Sequence, residues 1–360
     1  MKLLIGAAPS KLFHLEEFTK SLRKFNVECK IVNDVEYADG YPSRNFKSWL
    51  LSNKKFEKLI SEFKPDVIFV DRPRHFGLKS VNSKIPTVFY LRGDYWSEMV
   101  WAKETVYKSF AKKKALNKWE EIGSECFSKA SMILPICKYL ENIVNEKYSD
   151  KPTFVLQSGI DSSKWLKVKP MKLKHPCVGL LQGATIWGKT KELLLLKKII
   201  PALPKVTFYW VGDGPYAKKI LNELGQFKNF QWFGSLDYPK KVQEYLSGLD
   251  IYALISGIDM SPLTIQEAQL MEKPVLASDV GGVSELIKDN ETGFLVKSSS
   301  EDWIEKISML LDDADLQKKI GKEGREHIKN NFSWDKLADD FSKILNEIVS
   351  SAEPIFSKDK

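Results

Sequence analysis

The chain alternates short apolar runs with longer stretches whose apolar residues recur every three or four positions. The short runs read as strands buried on both faces, the long ones as amphipathic helices covering them. Residues 3–6 open the series. Residues 11–25 follow, with Leu12, Leu15, Phe18 and Leu22 at helical spacing, and residues 28–32 give a second strand. Residues 48–63 are expected to be helical and Val67-Ile68-Phe69-Val70 to be a buried strand. Further strands are expected at 86–91, 130–135 and 153–156. This is the rhythm of βα units around a parallel sheet.

A second series begins after Trp165. Residues 167–176 are rich in Lys and Pro, lack a period and read as a linker. Strands are expected at 177–181, 206–211, 230–232, 251–255, 274–277 and 294–296, with helices at 191–200, 215–224, 239–246 and 263–271. Helices at 300–312, 315–330 and 334–350 finish the chain, and residues 351–360 are expected to fray. The pattern predicts two Rossmann-like α/β domains, 1–166 and 177–335, facing across a cleft. Such an architecture is not an activity. In open parallel sheets, ligands settle at the carboxyl ends of strands, so chemistry is sought just after them.

Composition narrows the class. Of 360 residues, 43% are hydrophobic and 28% charged, which excludes collagenous and disordered chains. No apolar run approaches the ~18–20 residues that span a bilayer. The opening Met1–Ala8 run is short and closed by Pro9, so it reads as a first strand rather than a secretory signal. Cys29, Cys126, Cys137 and Cys177 are dispersed without a C-x-x-C pair, as in reduced thiols of a cytosolic protein. The four histidines show no zinc spacing, so no metal is expected.

Basic residues exceed acidic ones by 55 to 47, a formal +8 compatible with nucleic acid, an anionic membrane or a phosphorylated substrate. Lys103, Lys108, Lys112, Lys113, Lys114 and Lys118 crowd one segment, with Trp96, Trp101, Tyr107, Phe110 and Trp119 among them. Two readings stay open. One is a solvated basic helix with aromatics turned inward; the other is a membrane-surface helix attracted to anionic lipid. No DNA or RNA module accompanies the segment, so no nucleic acid partner is expected.

The densest signal runs from Ser256 to Val296. Asp259 follows a strand, and a helix is expected to begin around Ser261-Pro262, where the missing proline N–H suits a first turn. The backbone N–H groups of Met260, Ser261, Leu263 and Thr264 would then form an anion site aided by the helix dipole. Glu267 stands eight residues after Asp259, so a loop carboxylate and a helix carboxylate can grip two hydroxyl-bearing parts of one ligand. An ordinary capped helix with solvated acids is the alternative.

This stretch resembles the signature of retaining GT-B glycosyltransferases of family four, the glycosyl transferases group 1. Their E-x7-E is followed by A-x5-P-V-x-A-S-x-x-G-G-x-x-E. Asp259 takes the first acid and Glu267 the second, followed by Ala268, Pro274, Val275, Ala277, Ser278, Gly281, Gly282 and Glu285. Thr292–Val296, Gly159-Ile160-Asp161, the V-G-x-G-P turn at Val211-Gly212-Asp213-Gly214-Pro215 and Phe332-Ser333-Trp334 are similar to further family elements in family order. The resemblance implies a GT-B fold whose C-terminal helix, 336–350, returns to the first domain. It also implies a donor site in the second domain, Glu267 binding ribose hydroxyls and Asp259 the donor sugar. The family's G-R-x4-K segment aligns with Gly183 to Lys189. Lys189 matches, but Ala184 stands where the phosphate-binding arginine is expected. Either Arg72, Arg74 or Arg92 substitutes from the first domain, or binding is weaker.

The first domain is expected to take the acceptor. Arg92-Gly93-Asp94 and Asp71-Arg72-Pro73-Arg74-His75 each end a strand. Arg72, His75, Arg92 and Asp94 are therefore acceptor-side candidates, with Asp94, Lys189 and Asp259 nearest the chemistry. Asp94 reads equally as a helix cap or a partner of Arg92, and His75 as a plain loop histidine. Gly6 stands alone where the family often has a glycine pair. The expectation is a metal-independent, retaining transferase without a cofactor, cytoplasmic or peripheral on the cytosolic face. Its donor would be a UDP-, GDP- or ADP-sugar and its acceptor a sugar or lipid-linked glycan. The rivals are a nucleotide-sugar or glycan-binding module with impaired catalysis, and a GT-B epimerase or phosphorylase.

Overall fold

The computed structural model describes residues 1–43, 54–297 and 299–351, and the chain divides into two compact units. Unit 1 comprises Met1–Gly159 with Trp334–Lys360, and unit 2 is Ile160–Ser333.

In unit 1 the order is β1 (Lys2–Ala7), α1 (Leu12–Arg23), β2 (Glu28–Asn33), α2 (Asp34–Tyr37), α3 (Lys54–Phe63), β3 (Val67–Val70) and α4 (His75–Val81). There follow β4 (Thr87–Leu91), α5 (Tyr95–Thr105), α6 (Phe110–Lys129), β5 (Met132–Pro135) and α7 (Lys138–Lys147). All strand pairs are parallel, in the order β2-β1-β3-β4-β5. The central strands are buried along their whole length, which is why they are written as unbroken apolar runs. Residues 153–156 are not a strand. They run extended beside β5, where Ile133 N–H donates to the Pro152 carbonyl and Leu156 N–H to that of Pro135. Only one isolated bridge forms there, since Pro135 supplies no donor for the next one. Of the helix expected at 48–63, residues 48–53 lie outside the described residues.

Unit 2 contains β6 (Cys177–Leu181), α8 (Trp187–Thr190), α9 (Leu196–Ala202), β7 (Thr207–Val211), α10 (Ala217–Leu224), β8 (Phe230–Gly234), α11 (Lys240–Ser247) and β9 (Ile251–Leu254). α12 (Leu263–Leu270), β10 (Val275–Ser278), β11 (Phe294–Val296), α13 (Ser300–Asp312) and α14 (Ala314–Asn331) complete it. Its parallel sheet has the order β11-β10-β9-β6-β7-β8. Side chains alternate across each strand. Val178, Leu180, Phe208 and Trp210 enter the core on one face, and Cys177, Tyr209, Val211 and Tyr252 the core on the other.

Two boundaries differ from expectation. Residues 167–176 belong to unit 2: Val168, Met171 and Leu173 pack against its core, and Met171 N–H donates to the Glu244 carbonyl. The division instead falls at Gly159, because Ile160 pairs with Ser333 and Trp165 is buried in the same core. The last helix, α15 (Trp334–Ser351), belongs to unit 1. Phe341 lies 5.7 Å from Phe18 of α1 and 6.0 Å from Phe69 of β3, ring to ring. Asp335 accepts from Ser21 at 2.7 Å and pairs with Lys24 at 2.8 Å. The tail expected to fray lies, from 352 on, outside the described residues.

Candidate functional site

The second sheet changes direction between β6 and β9, because the chain leaves β6 for β7 and β8 on one side and later reaches β9, β10 and β11 on the other. Loops diverge at such a point and leave a crevice at the carboxyl ends of the strands. The loops after β6 and β9 flank it, and Gln182 ties them together. Its Nε2 donates to the Ile255 carbonyl at 2.8 Å, and its Oε1 accepts from Ile255 N–H at 3.2 Å. On this frame Lys189, from α8, brings its Nζ 3.2 Å from Asp259 Oδ1. Both side chains keep some exposure, so a ligand can reach them.

The glycines of two motifs hold these loops in place. Gly281 has φ +57°, and a Cβ there would run into the carbonyl oxygen of Asp259. That oxygen accepts from Gly282 N–H at 2.9 Å, so the Gly-Gly turn after β10 props up the Asp259 loop. At Gly214, φ +149°, a Cβ would likewise strike the Ala184 carbonyl oxygen. Beside it, in the turn that Gly212 opens, Asp213 O accepts from Ala184 N–H at 2.9 Å. Gly183 is less constrained: a Cβ there would meet Asp213 O only at 3.6 Å. Ala184 is fully buried in the core with Leu193 and Phe208. The position aligned with the family arginine thus faces inward, where a guanidinium would lack solvent and partners.

The expected helix begins two residues later than Ser261. Pro262 is itself the cap residue of α12, with extended backbone. The N–H groups of Leu263 and Thr264 fall in the first turn, where helix geometry provides no acceptor. Met260 N–H turns back to Asp259 Oδ1 at 3.0 Å and is not part of that free set. Ser261 Oγ is buried and has no hydrogen-bond partner among the described residues. Thr264 Oγ1 accepts from Tyr252 O–H at 2.7 Å. Glu267, further along α12, is only 4% exposed. Burial raises its pKa from the ordinary 4.5 to about 7, and a hydrogen bond from Tyr238 partly opposes the rise.

The structure therefore gathers Gly183, Lys189, Gly212, Gly214, Asp259, Met260, Ser261, Pro262, Leu263, Thr264 and Glu267 at the carboxyl ends of β6, β7 and β9. Sequence reasoning missed Gln182, Tyr238 and Lys219. Lys219 Nζ sits 3.7 Å from the Trp187 ring centroid, next to the Lys189 turn. Nothing in its sequence context separates it from any helix-surface lysine.

In unit 1 the candidates are divided among separate contacts. Arg72 grips the buried carboxylate of Asp34 with two bonds, 2.7 and 2.9 Å. Arg92 pairs with Asp71, not Asp94. Asp94 caps α5: it accepts from the N–H groups of Trp96 and Ser97, each at 3.1 Å, and from the Ser97 hydroxyl. Both oxygens of its buried carboxylate are engaged in this way. The His75 ring lies 5.3 Å from Trp119, and burial lowers its pKa. His14, which the sequence did not single out, is held neutral; burial, then Lys11 and Arg92, lower its pKa to about 4. Gly6 meets a packing need, since a Cβ would strike the Phe76 ring.

Among the described residues, one group has the make-up of a metal site: His175, Cys177 and Asp250, at the opposite end of β6 from Lys189. Asp250 already pairs with His175 at 2.8 Å and accepts from Cys177 N–H at 2.8 Å. Burial pushes the Cys177 thiol up to about 12.

Two parallel, helix-covered sheets with a site at a switch point define the class of GT-B folds. A sucrose-phosphate synthase from Thermosynechococcus elongatus superposes over 98% of this chain and 100% of its own, with TM-score 0.75 at 13% identity. The Anabaena protein HepE in complex with UDP superposes over 96% and 100%, with TM-score 0.67 at 15% identity. Residues 188–327, within the second unit, match the family described as Glycosyl transferases group 1. A sulfoquinovosyl transferase of Arabidopsis thaliana is 32% identical over 177 residues, 48% of this chain. The chain spans only 34% of that relative's length. Among the described residues no helix is long and apolar enough to cross a membrane.

Proposed function

We propose that the chain transfers a sugar from a nucleotide diphosphate donor to an acceptor hydroxyl or phosphate, retaining anomeric configuration and without a metal. The observation that carries this reading is the Lys189–Asp259 pair at the switch point, beside the first turn of α12. Lys189 and the N–H groups of Leu263 and Thr264 place positive charge where a diphosphate would depart. Ser261 Oγ, unpartnered, adds a donor. Glu267 would accept from the ribose hydroxyls, and Asp259 would contact the sugar. No side chain is assigned as a covalent nucleophile. The departing phosphate would accept the acceptor's proton as the new bond forms on the same face. The cationic set supplies the charge neutralisation that a divalent ion gives elsewhere.

The acceptor in this reading is lipid-linked, and the enzyme works at an anionic membrane through α5 and α6. Lys103, Lys108, Lys112, Lys113 and Lys114 are exposed there, as are Val100, Val106 and Phe110. The buried Ala184 favours a second reading, a binding module without catalysis. Incubation with UDP-, GDP- and ADP-sugars decides between them. Slow release of free sugar from one donor supports the enzyme; tight binding without any turnover, with or without lipid acceptors, supports the module.

A further inference from the structure

Three arginines stand at or just beyond the ends of β3 and β4, and two of them are neutralised. Arg72 is paired with Asp34 and Arg92 with Asp71. Arg74 has no carboxylate within ion-pair distance among the described residues, and its guanidinium donates no hydrogen bond there. The undescribed segment 44–53 contains no acidic residue either. Instead the Arg74 guanidinium carbon lies 5.0 Å from the centroid of the Trp119 ring. A guanidinium on an aromatic face keeps its in-plane N–H donors free for another group.

That group has room. Arg74 is solvent-accessible and lines a cavity of about 330 Å³ within unit 1, with Tyr95, Glu98, Met99, Tyr107 and Trp119 around it. Tyr95 donates its O–H to the Trp119 carbonyl at 3.0 Å, which ties the two aromatic residues together. Burial and the neighbouring Arg72 charge lower the Arg74 pKa, and the more distant Asp34 and Asp39 only partly oppose this. One bidentate cation, one carboxylate at Glu98 and an aromatic wall suit a hydroxylated ring that carries an oxyanion.

We propose that this cavity binds a phosphate-bearing sugar ring, with Arg74 on the phosphate, and that this is the acceptor's recognition group. The assignment rests on the transferase reading above for the word acceptor; the binding itself does not. The phosphate has two sources, a soluble sugar phosphate or the head group of a lipid.

Calorimetry on the full chain tests it, with glucose 6-phosphate, glucose, inorganic phosphate and dihexanoyl phosphatidylinositol as probes. One of the two ring phosphates should bind at least tenfold tighter than glucose or inorganic phosphate alone, and which one wins identifies the source. Arg74→Ala should lose about tenfold or more of that affinity, and Arg74→Lys should recover part of it. Circular dichroism and thermal melting of the same samples should match the wild type and show that the variants are folded. Equal affinity for glucose and both ring phosphates overturns the proposal, as does an Arg74→Ala protein that binds them like the wild type. Failure of UDP, GDP and ADP alike to bind the wild type, with Arg74-dependent ring-phosphate binding intact, would instead remove the donor-site reading.

Discussion

Lys189 Nζ stands 3.2 Å from Asp259 Oδ1, an ammonium and a carboxylate held on opposite sides of the switch point in the second sheet. With no ligand in place each satisfies the other. A diphosphate arriving between the α8 turn and the start of α12 would compete with Asp259 for the lysine. Lys189→Ala should therefore weaken UDP binding far more than uridine binding, since the lost term acts on phosphate charge. Asp259→Asn should leave UDP binding equal or tighter while abolishing sugar transfer. Equal losses for UDP and uridine in Lys189→Ala, by calorimetry, would show that the residue only shapes the pocket.

Glu267 couples binding and stability to pH. Its pKa is near 4.5 in the unfolded chain and about 7 in the folded one, because burial disfavours the charged form. Below 4.5 the group is protonated in both states and costs nothing. Between 4.5 and about 7 the folded state holds a proton that the unfolded state has released, so stability falls as pH rises. Above 7 the full cost, of order a few kcal/mol, is present. Glu267→Gln should flatten this decline in urea unfolding measured from pH 5 to pH 8. The same variant should lose ~2–3 kcal/mol of UDP affinity at pH 8. Wild-type UDP affinity should rise with pH through 7 as the carboxylate ionises; a flat profile would take Glu267 away from the ribose.

Asp94 separates structure from chemistry. As the cap of α5 it accepts from two backbone N–H groups and a hydroxyl. Asp94→Ala should cost about 1 kcal/mol of stability, the scale for a lost N-cap. Asp94→Asn keeps a capping oxygen and should melt close to the wild type. If Asp94→Asn also keeps full transferase activity, the residue is a cap alone. A large loss of kcat at unchanged melting temperature would restore its catalytic assignment.

The sequence discloses what is local and hides what is paired. The strands of both sheets are legible because burial on two faces forces unbroken apolar runs such as Val67-Ile68-Phe69-Val70. Asp259 and Glu267 are legible as positions because loops that follow parallel strands converge at one end of the sheet, whereas Lys189 is legible only through the resemblance of its segment to the family's. The ion pairs are not: Arg72 is 38 residues from Asp34, and only the fold brings them together. The inward turn of Ala184 is equally hidden, since one alanine in a loop carries no periodicity. Residues 153–156 mislead because an extended apolar run beside a sheet edge looks like a strand until its hydrogen bonds are counted. Trp96 follows the inward-turned reading. It packs 5.5 Å from Phe127, ring to ring, at the edge of the core, and the exposed apolar residues of that region are elsewhere.

Those exposed residues would set the terms of the proposed membrane binding. Phe110 is 75% exposed at the start of α6, and Val106, in the turn before it, is 51% exposed. Lys114 Nζ lies 4.8 Å from the Phe110 ring, and Lys108, Lys112 and Lys113 are exposed close by in the chain. At ~1 kcal/mol per basic residue near an anionic surface, these lysines would hold the protein reversibly. The attraction should fall steeply with salt, because charges are screened within ~8–10 Å. Co-sedimentation with vesicles at low salt should show pelleting on anionic lipid and little on neutral lipid. Replacing Lys112, Lys113 and Lys114 by glutamine should abolish it. Phe110→Ser should weaken it less and leave a weaker, fully salt-sensitive remnant, since insertion of the ring is the part that salt does not screen. Trp96→Phe should leave it unchanged. Negligible pelleting of the wild type on both lipids would return α5 and α6 to a solvated basic surface and leave the acceptor a soluble molecule.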